Sequence, residues 1–413
     1  MRIQDIRLRV CFNGRGDLGV EADVMVEGKL GRALSPSGAS RGSNEAVPFV
    51  DDSPAKTIAG FQEFKSRIVG QDAGDIQGLA KLIREIDGTG NYSRVGGSLA
   101  YAISVAAAEA EGAARGIPLC RVIDPRASSL PFPLGNVVGG GKHASDLSPA
   151  MQEILLAPVG AGTVAEAAQL NFAVHKRVGK NLAKGLSYPL GKGDEGGWAP
   201  GITDEQALQV VSESVAQVRD EAGREIRFGI DVAAGSLYDP KKEAYYYRST
   251  KKTLTREQQI SFISELRDRY HLFYIEDPLN EDDFEGYASL HSSLKGTLLV
   301  GDDIYTTDTA LLATGIERKS TNAVILKVNQ IGTLGEAQRF AKLAKDHKQV
   351  VAASHRSGDN EGAQLSHFAV GFGCGLIKCG IVGGERTSKV NELIRLSEQL
   401  SGSLDTGWVG SIS

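Results

Sequence analysis

The pattern of hydrophobic and polar positions changes near residue 130 and divides the chain into two parts. From residue 1 to about residue 27, apolar and polar positions alternate, which is typical of hairpin strands with one covered face. Between about residues 55 and 116, apolar side chains recur at helical spacing, so we expect a small sheet followed by helices. The stretch 123–133 contains three prolines and is the predicted boundary. We therefore predict an N-terminal α+β unit of residues 1–130 and a second unit of residues 131–413.

After this boundary, short apolar runs alternate with longer amphipathic patterns. The runs have the composition of buried strands and are Glu153–Pro158, Phe228–Val232, Leu272–Ile275, Thr297–Val300, Ala323–Leu326, Gln349–Ala353 and Leu376–Ile377. The patterns between them have helical spacing and include Asp204–Glu221, Arg256–Tyr270, Leu334–Lys345 and Glu385–Leu400. Repeated strand–helix units with continuously apolar strands are typical of parallel sheets covered on both faces. We predict a parallel β/α barrel, with a doubly wound sheet as the competing architecture.

The composition excludes several classes of function. The 413 residues include 46 basic and 51 acidic side chains and carry a net charge of −5, so no basic excess attracts nucleic acid or an anionic membrane surface. The N-terminal residues lack the apolar core of a secretion signal. The most apolar stretch, 98–114, is interrupted by two glutamates and is too short to span a bilayer. The four cysteines are scattered, which is typical of reduced thiols in a cytoplasmic protein.

Charged residues follow several of the predicted strands at the point where each strand ends. Asp231, Glu276 and Asp302 each follow one buried run, and Lys327 follows another. In a β/α barrel these ends meet at one mouth, where an unpaired buried charge costs several kcal/mol. Three converging carboxylates therefore predict a cation, and oxygen ligands without histidine or cysteine favour Mg²⁺. Taken singly, each carboxylate has another interpretation: it caps the next helix or pairs with a lysine.

The other charges near strand ends suggest the chemistry. A lysine beside a divalent cation is expected to have a lowered pKa, so Lys327 is a candidate general base. The tight turn in 193–200 presents a glutamate as a candidate general acid. Arg356, within 354–358, offers a bidentate fork for an oxyanion, and Lys378 offers a point charge. This pattern indicates metal-assisted proton abstraction from a small anionic substrate.

Several segments of the chain match a known family in order and in sequence. They are Pro36–Ser40, Gly191–Pro200, Asp231–Ala234, Ile275–Pro278, Gly301–Asp303, Leu326–Leu334, Ser354–Gly358 and Ile377–Lys378. On these segments the sequence resembles the enolase family over nearly its whole length. The resemblance implies a β/α barrel with an N-terminal α+β capping domain. It also implies a cytoplasmic lyase of glycolysis and gluconeogenesis, a homodimer or higher homo-oligomer, that reversibly dehydrates 2-phosphoglycerate to phosphoenolpyruvate.

The resemblance also implies roles for individual residues. The residues that match ligands of the first of two Mg²⁺ ions are Asp231, Glu276 and Asp302. Ser40 matches a ligand of the second ion, which binds with the substrate. The residues that match the catalytic groups are Lys327 as the base at C2, Glu195 as the acid at the C3 hydroxyl, Glu153 as its assisting carboxylate and His143 on a closing loop. The residues that match the substrate-binding positions are Gln152, His355, Arg356, Ser357 and Lys378.

The match is uneven near the loop that begins at about Leu34 and contains Ser40, here called the N-terminal loop. Arg41 stands where the family has a threonine, and it either repels the second metal ion, binds a further anionic group or points to solvent. The stretch from Val47 to about Gly70 also departs from the family pattern. Three hypotheses follow: an enolase, a related dehydratase of a phosphono or other phosphorylated acid, and a paralogue kept for binding or scaffolding. The intact base, acid and metal ligands argue against the third.

Overall fold

An antiparallel sheet begins the chain in the computed structural model, which describes residues 1–39, 41–144, 147–185 and 188–412. Its strands, in the order β1–β2–β3, are β1 (Ile3–Phe12), β2 (Leu18–Val26) and β3 (Lys29–Leu34). The α-helices that follow are α1 (Pro54–Gly60), α2 (Lys65–Ile68), α3 (Ile76–Asp87), α4 (Gly97–Arg115) and α5 (Leu119–Ile123). The alanine-rich α4 packs closely on the sheet, where a Cβ added to Gly31 would lie 2.1 Å from the carbonyl oxygen of Ala106. Small residues therefore set the spacing between sheet and helix.

The rest of the chain alternates strands and helices. Its strands are β4 (Phe132–Gly139), β5 (Glu153–Ala157), β6 (Arg227–Asp231), β7 (Tyr238–Asp239), β8 (Ala244–Tyr247), β9 (Lys252–Thr255), β10 (Tyr274–Glu276), β11 (Leu298–Gly301), β12 (Ala323–Leu326), β13 (Val350–Ser354) and β14 (Leu376–Lys378). Its helices are α6 (Val164–Ala183), α7 (Asp204–Ala222), α8 (Arg256–Tyr270), α9 (Phe284–Ser293), α10 (Thr309–Arg318), α11 (Val328–Ile331), α12 (Leu334–Asp346), α13 (Gln364–Gly371) and α14 (Gly384–Leu400).

Within the described ranges, eight strands close into a barrel in the order β4–β5–β6–β10–β11–β12–β13–β14. The predicted barrel is thus confirmed, and the doubly wound alternative is wrong. One strand departs from the predicted parallel arrangement, because β5 pairs antiparallel with both β4 and β6. A parallel connection needs a crossover, usually a helix, and the described part of 140–152 contains a single 3-10 turn, Gly141–His143. The chain therefore turns back at the mouth instead of crossing the barrel.

The reversal of β5 decides which of its ends faces the mouth. Its first residue, Glu153, pairs with Asp231 at the carboxyl end of β6. A charge at the start of this strand therefore lies beside charges at the ends of its neighbours.

Capping residues fix where the barrel helices begin. Thr203 before α7 and Thr255 before α8 each form a capping box with the glutamine three residues later. Thr333 caps α12 by accepting a hydrogen bond from the backbone N–H of Glu336. The small sheet β7–β8–β9, which precedes α8, was not predicted. No described helix combines the length and apolar character needed to cross a bilayer.

Candidate active site

The carboxyl ends of the parallel strands and the amino end of β5 surround one cavity of about 40 Å³, room for one or two water molecules. The predicted site residues that line it are His143, Gln152, Glu153, Glu195, Asp231, Asp302, Lys327, His355, Arg356, Ser357 and Lys378. Glu276 is fully buried and touches Lys378. Ser40 lies outside the described residues. The cavity is small because side chains of opposite charge touch one another across it.

One side of the cavity is built from two carboxyl groups and a histidine. His143 Nδ1 lies 3.3 Å from Glu153 Oε1 and 3.7 Å from Glu195 Oε1. One nitrogen or oxygen atom of each of these three side chains lies within 4.8 Å of the other two, and all three side chains are buried. Asn136 of β4 donates a hydrogen bond of 3.3 Å to Glu195 Oε2. This side is therefore suited to hold and transfer a proton.

The turn that carries Glu195 is fixed by contacts with α6 and with the segment that follows β14. Gly196 has a φ of +79°, and a Cβ there would lie 2.1 Å from the carbonyl oxygen of Val382, so only glycine fits. His175 of α6 lies with Nε2 2.9 Å from the Gly196 carbonyl oxygen, and its ring stacks on Trp198. The position of Glu195 is thus set by backbone geometry and by packing.

The two carboxyl groups titrate together near neutral pH. Burial and the negative charge of Glu195 raise the pKa of Glu153 to about 7. Burial opposes ionisation of Glu195 as well, but His143, His355 and the hydrogen bond from Glu153 hold its pKa well below the usual range. A carboxylic acid in contact with a carboxylate can pass its proton to it, so the two titrate as a unit.

Lys327 lies on the opposite side of the cavity and is paired. Its ammonium donates a hydrogen bond to Asp302 Oδ2. Burial lowers the pKa of Lys327, but the charge of Asp302 outweighs burial and raises it above the usual value. The lowering predicted for Lys327 beside a bound divalent cation stays a prediction, because here the carboxylate assigned to that cation pairs with the lysine itself.

Lys378, at the end of β14, is surrounded by carboxylates. Its Nζ lies 2.7 Å from Glu153 Oε2 and 2.9 Å from Asp231 Oδ2, and it donates to both oxygens of Glu276 at 2.9 and 3.0 Å. Burial lowers the pKa of Lys378, but these carboxylates raise it well above the usual value. Gln152 also donates to Asp231, at 3.2 Å. Two of the predicted metal ligands, Asp231 and Glu276, therefore share one ammonium group.

The acidic residues at the mouth fit a hard divalent cation. Asp302 clusters with Asp277 and Asp303, and their ligand oxygens lie within 4.8 Å of one another. Asp231 and Glu276 instead meet around Lys378. Burial and the charge of Asp231 raise the pKa of Glu276 well above its usual value. A cation stabilises buried carboxylates that repel one another, and oxygen donors suit Mg²⁺. The acidic residues at the mouth therefore fit a metal ion.

The predicted oxyanion ligand Arg356 is held by the N-terminal loop. Its guanidinium donates to both oxygens of Glu45, at 2.9 and 3.2 Å, and both side chains are buried. In the same loop, the backbone N–H of Ala39 donates to Ser357 Oγ at 2.6 Å. The N-terminal loop is thus joined to the segment 354–358 at the cavity. Sequence reasoning missed Glu45, and its position a few residues after Ser40 is the only signal that we find for it.

Arg41 is not among the residues that line this cavity. The residue is exposed, and its guanidinium donates to the backbone carbonyl of Glu45 at 3.2 Å. It lines a separate cavity of about 110 Å³ beneath the N-terminal loop. Of the interpretations of Arg41, the one in which the side chain faces solvent agrees best with this placement.

Other residues that touch the predicted site were also missed. Asn136 lies on β4, a strand absent from the predicted runs, so nothing drew attention to it. Asp277 follows Glu276 directly and accepts hydrogen bonds from the backbone of Asp302 and Asp303, at 3.0 and 2.7 Å. Arg386, in the first turn of α14, lies with Nη1 2.7 Å from Nδ1 of His355. Its position inside an amphipathic helix gave no signal.

Comparisons with known proteins agree with this geometry. The model of the enolase N-terminal domain matches residues 3–123, and that of the enolase C-terminal TIM barrel domain matches residues 127–407. The enolase of Archaeoglobus fulgidus is 46% identical over 399 residues, 96% of this chain and 98% of that protein. The enolase of Methanosphaera stadtmanae is 42% identical over 402 residues, 96% of this chain and 97% of that protein.

These findings bear on the predicted activity. Relatives of this similarity that span almost the whole chain are named enolase, so the chain is an enzyme and a lyase, and a related dehydratase of phosphono acids is not favoured. A metal cofactor and a small phosphorylated substrate agree with this membership and with the acidic groups at the mouth. On the match of both domains and of its relatives, the chain belongs to the enolase family.

Proposed function

We propose that the chain reversibly dehydrates 2-phosphoglycerate to phosphoenolpyruvate, with Lys327 as the base and Glu195 as the acid. One observation carries this proposal: a buried lysine and a buried pair of carboxyl groups, one of them with a raised pKa, face the same cavity. Removal of a proton beside a carboxylate and loss of a hydroxyl from the next carbon need a base and an acid on opposite sides of the substrate.

Lys327 takes the proton from C2. Its ammonium now pairs with Asp302, so the two must part before the amine becomes a base. Its burial then favours the neutral amine, since desolvation penalises the ammonium form.

Glu195 gives a proton to the departing C3 hydroxyl. Glu153 is the source of that proton, because its pKa of about 7 leaves about half of the pairs protonated at neutral pH. His143, within 3.7 Å of both carboxyl groups, balances the charge that remains.

The substrate is held by a ring of donors. The residues that bind its phosphate and carboxylate are Gln152, His355, Arg356, Ser357 and Lys378. Arg356 and Lys378 are both engaged by carboxylates of the chain, so the substrate must compete with Glu45, Asp231 and Glu276 for them. This competition favours doubly charged anions over neutral sugars.

Asp231, Glu276 and Asp302 would hold one Mg²⁺ ion, and Ser40 would contribute to a second that arrives with substrate. Bound Mg²⁺ would supply stabilisation of the second negative charge that develops on the substrate carboxylate, and Asp302 would then face both the ion and Lys327. The donor set of buried carboxylates supports the assignment of the first ion.

The roles of the base and the acid can be separated by two reactions of the same substrate. K327A is expected to abolish both exchange of the C2 proton with deuterium and formation of phosphoenolpyruvate. E195Q is expected to block dehydration by about 10²-fold or more while it retains exchange. K342A and E213Q, which change exposed residues, serve as matched controls. Normal exchange by K327A would disprove the base assignment, and no turnover by wild-type protein with Mg²⁺ would disprove the function.

We also propose a cytoplasmic homodimer or higher homo-oligomer, with the domain boundary at residues 130–131. Support for self-association comes from exposed apolar side chains on the N-terminal sheet, among them Val10, Phe12 and its strand partner Leu18. Support for the boundary comes from β4, the first barrel strand, which begins at Phe132. Light scattering after size exclusion measures the assembly.

A further inference from the structure

A buried arginine lies directly behind the acid side of the cavity. Arg386 is the third residue of α14 and is fully buried. Gly380 makes room for it, because a Cβ there would lie 3.0 Å from Cγ of Arg386. The charges nearest the guanidinium are Asp359 Oδ2 at 3.8 Å and Glu385 Oε1 at 3.5 Å. A buried guanidinium is costly unless its donors are used, so its contacts are informative.

One of these contacts is to the ring of His355. Nη1 of Arg386 lies 2.7 Å from Nδ1 of His355. A guanidinium has only donors, so Nδ1 must be the acceptor and carries no proton. The neutral ring then has its proton on Nε2, which lies 3.1 Å from Oε2 of Glu195. The arginine thus selects one tautomer of the histidine, the one with its N–H on the ring nitrogen nearest Glu195.

The same contact keeps the ring neutral. An imidazolium would place an N–H on Nδ1 against the N–H of the arginine. In agreement with this, burial and Arg386 lower the pKa of His355 to about 4, although Glu195 and Asp359 act in the other direction. At neutral pH the histidine therefore contributes a fixed N–H dipole to the acid, not a charge.

Arg386 also joins the two segments that carry these groups. Its Nη1 and Nη2 donate to the backbone carbonyls of Arg356 and Ser357, at 2.8 and 2.7 Å. Its Nη2 donates to the carbonyl of Asp194, beside Glu195, at 3.1 Å. One guanidinium therefore fixes the distance between the histidine and the acid.

We propose that Arg386 is a positioning residue for the elimination step: it holds His355 as the neutral Nε2–H tautomer against Glu195. The inference rests on the proposed function, because it assigns Glu195 to departure of the C3 hydroxyl. Lys327 lies on the other side of the cavity and does not touch Arg386, so proton abstraction does not depend on the arginine.

The tautomer can be measured without substrate. In protein labelled with ¹⁵N-histidine, two-bond ¹H–¹⁵N spectra distinguish the two neutral tautomers and the imidazolium. H355N identifies the signals of His355 among the seven histidines. We expect the Nε2–H form in wild type at pH 7, and loss of that preference in R386M. An Nδ1–H form or an imidazolium in wild type would overturn the inference, even if R386M does not fold.

Kinetics of three variants test the consequence for catalysis. In R386M, we expect dehydration to fall about 10²-fold while C2 proton exchange stays within about threefold of wild type. R386K keeps a donor and a charge and is expected to recover the tautomer and much of the dehydration. K389M is the matched control, because Lys389 lies one turn later in α14, is equally buried and contacts Asn360 and Asp359 but not His355.

The outcomes separate the inference from the proposed function. Selective loss of dehydration in R386M, with rescue in R386K, supports the positioning role. An equal loss of exchange and dehydration in R386M, matched by K389M, means a structural role only and overturns the inference. If wild-type protein catalyses neither reaction, the proposed function fails, and the spectrum of wild type still decides the tautomer.

Discussion

Individual charged side chains at the mouth form ion pairs and so neutralise one another. Lys327 pairs with Asp302, Lys378 with Asp231 and Glu276, and Arg356 with Glu45. Removing one member of such a buried pair leaves an uncompensated charge and costs several kcal/mol. Any variant of these residues should therefore be assessed for folding before its activity is interpreted.

Arg41 offers a cleaner test at the residue scale, since it is exposed and touches only a backbone carbonyl of the loop among the contacts described above. We expect R41T to keep kcat/KM for 2-phosphoglycerate within about threefold of wild type, because less than about 0.7 kcal/mol is lost with an exposed hydrogen bond of this kind. Steady-state turnover monitored by ultraviolet absorbance of the enol product measures it. A larger loss would assign a role in substrate or metal binding to the guanidinium.

The sequence predicted well which residues lie at the mouth. It predicted less well which of them pair with one another. Asp231, Glu276, Asp302 and Lys327 were found because each follows an apolar run, and strand ends meet by topology. The partners Glu45 and Arg386 were not found, because their contacts depend on the paths of the N-terminal loop and of α14. No local pattern encodes contacts between elements that are separated along the chain, by 311 positions for Glu45 and Arg356 and by 31 for His355 and Arg386.

At the element scale, capping explains which boundaries were predicted well. Helix α8 was predicted at its observed limits, because Thr255 and Gln258 form a capping box that marks its start. The run that forms β5 was also predicted, but its direction was not. An apolar run does not show whether its strand pairs parallel or antiparallel with its neighbours. The sheet β7–β9 was missed because its short strands depend on packing of Tyr245 and Tyr247 against other elements.

The packing of α4 on the N-terminal sheet leads to a prediction of stability. In G31A, the new Cβ would lie 2.1 Å from the carbonyl oxygen of Ala106 and 2.4 Å from the backbone nitrogen of Ala110. Helix and strand must separate, and we expect the free energy of unfolding to fall by about 1–3 kcal/mol. Urea denaturation followed by circular dichroism measures this change.

The control for G31A is G60A in α1. Gly60 has a φ of −63°, and a Cβ there meets nothing within 4 Å. Alanine should therefore leave stability unchanged or raise it by about 0.4–1 kcal/mol through the unfolded chain. Equal stability of G31A and wild type would show that the sheet and helix are packed less closely than described.

At the scale of the whole molecule, the N-terminal sheet and the barrel meet at the mouth. Ser37 and Gly358 exchange backbone hydrogen bonds of 2.9 and 2.8 Å, and Arg15 of the β1–β2 turn pairs with Asp194 beside the candidate acid. The segment 354–358 and the turn that carries Glu195 are thus both in contact with the N-terminal unit. A ligand that binds between the two units should therefore change the free energy of unfolding.

Mg²⁺ should therefore stabilise the whole fold measurably. A ligand present at 100 times its Kd adds about 2.7 kcal/mol to the folded state. For a chain of 413 residues the unfolding entropy is about 0.9 kcal/mol per degree, so we expect the Tm to rise by about 3 °C. Differential scanning calorimetry, with NaCl of equal ionic strength as the reference, measures the shift. D302N should lose it, and D346N, which changes an exposed carboxylate paired with Lys342, should keep it. A shift that survives in D302N would mean that Mg²⁺ binds elsewhere on the molecule.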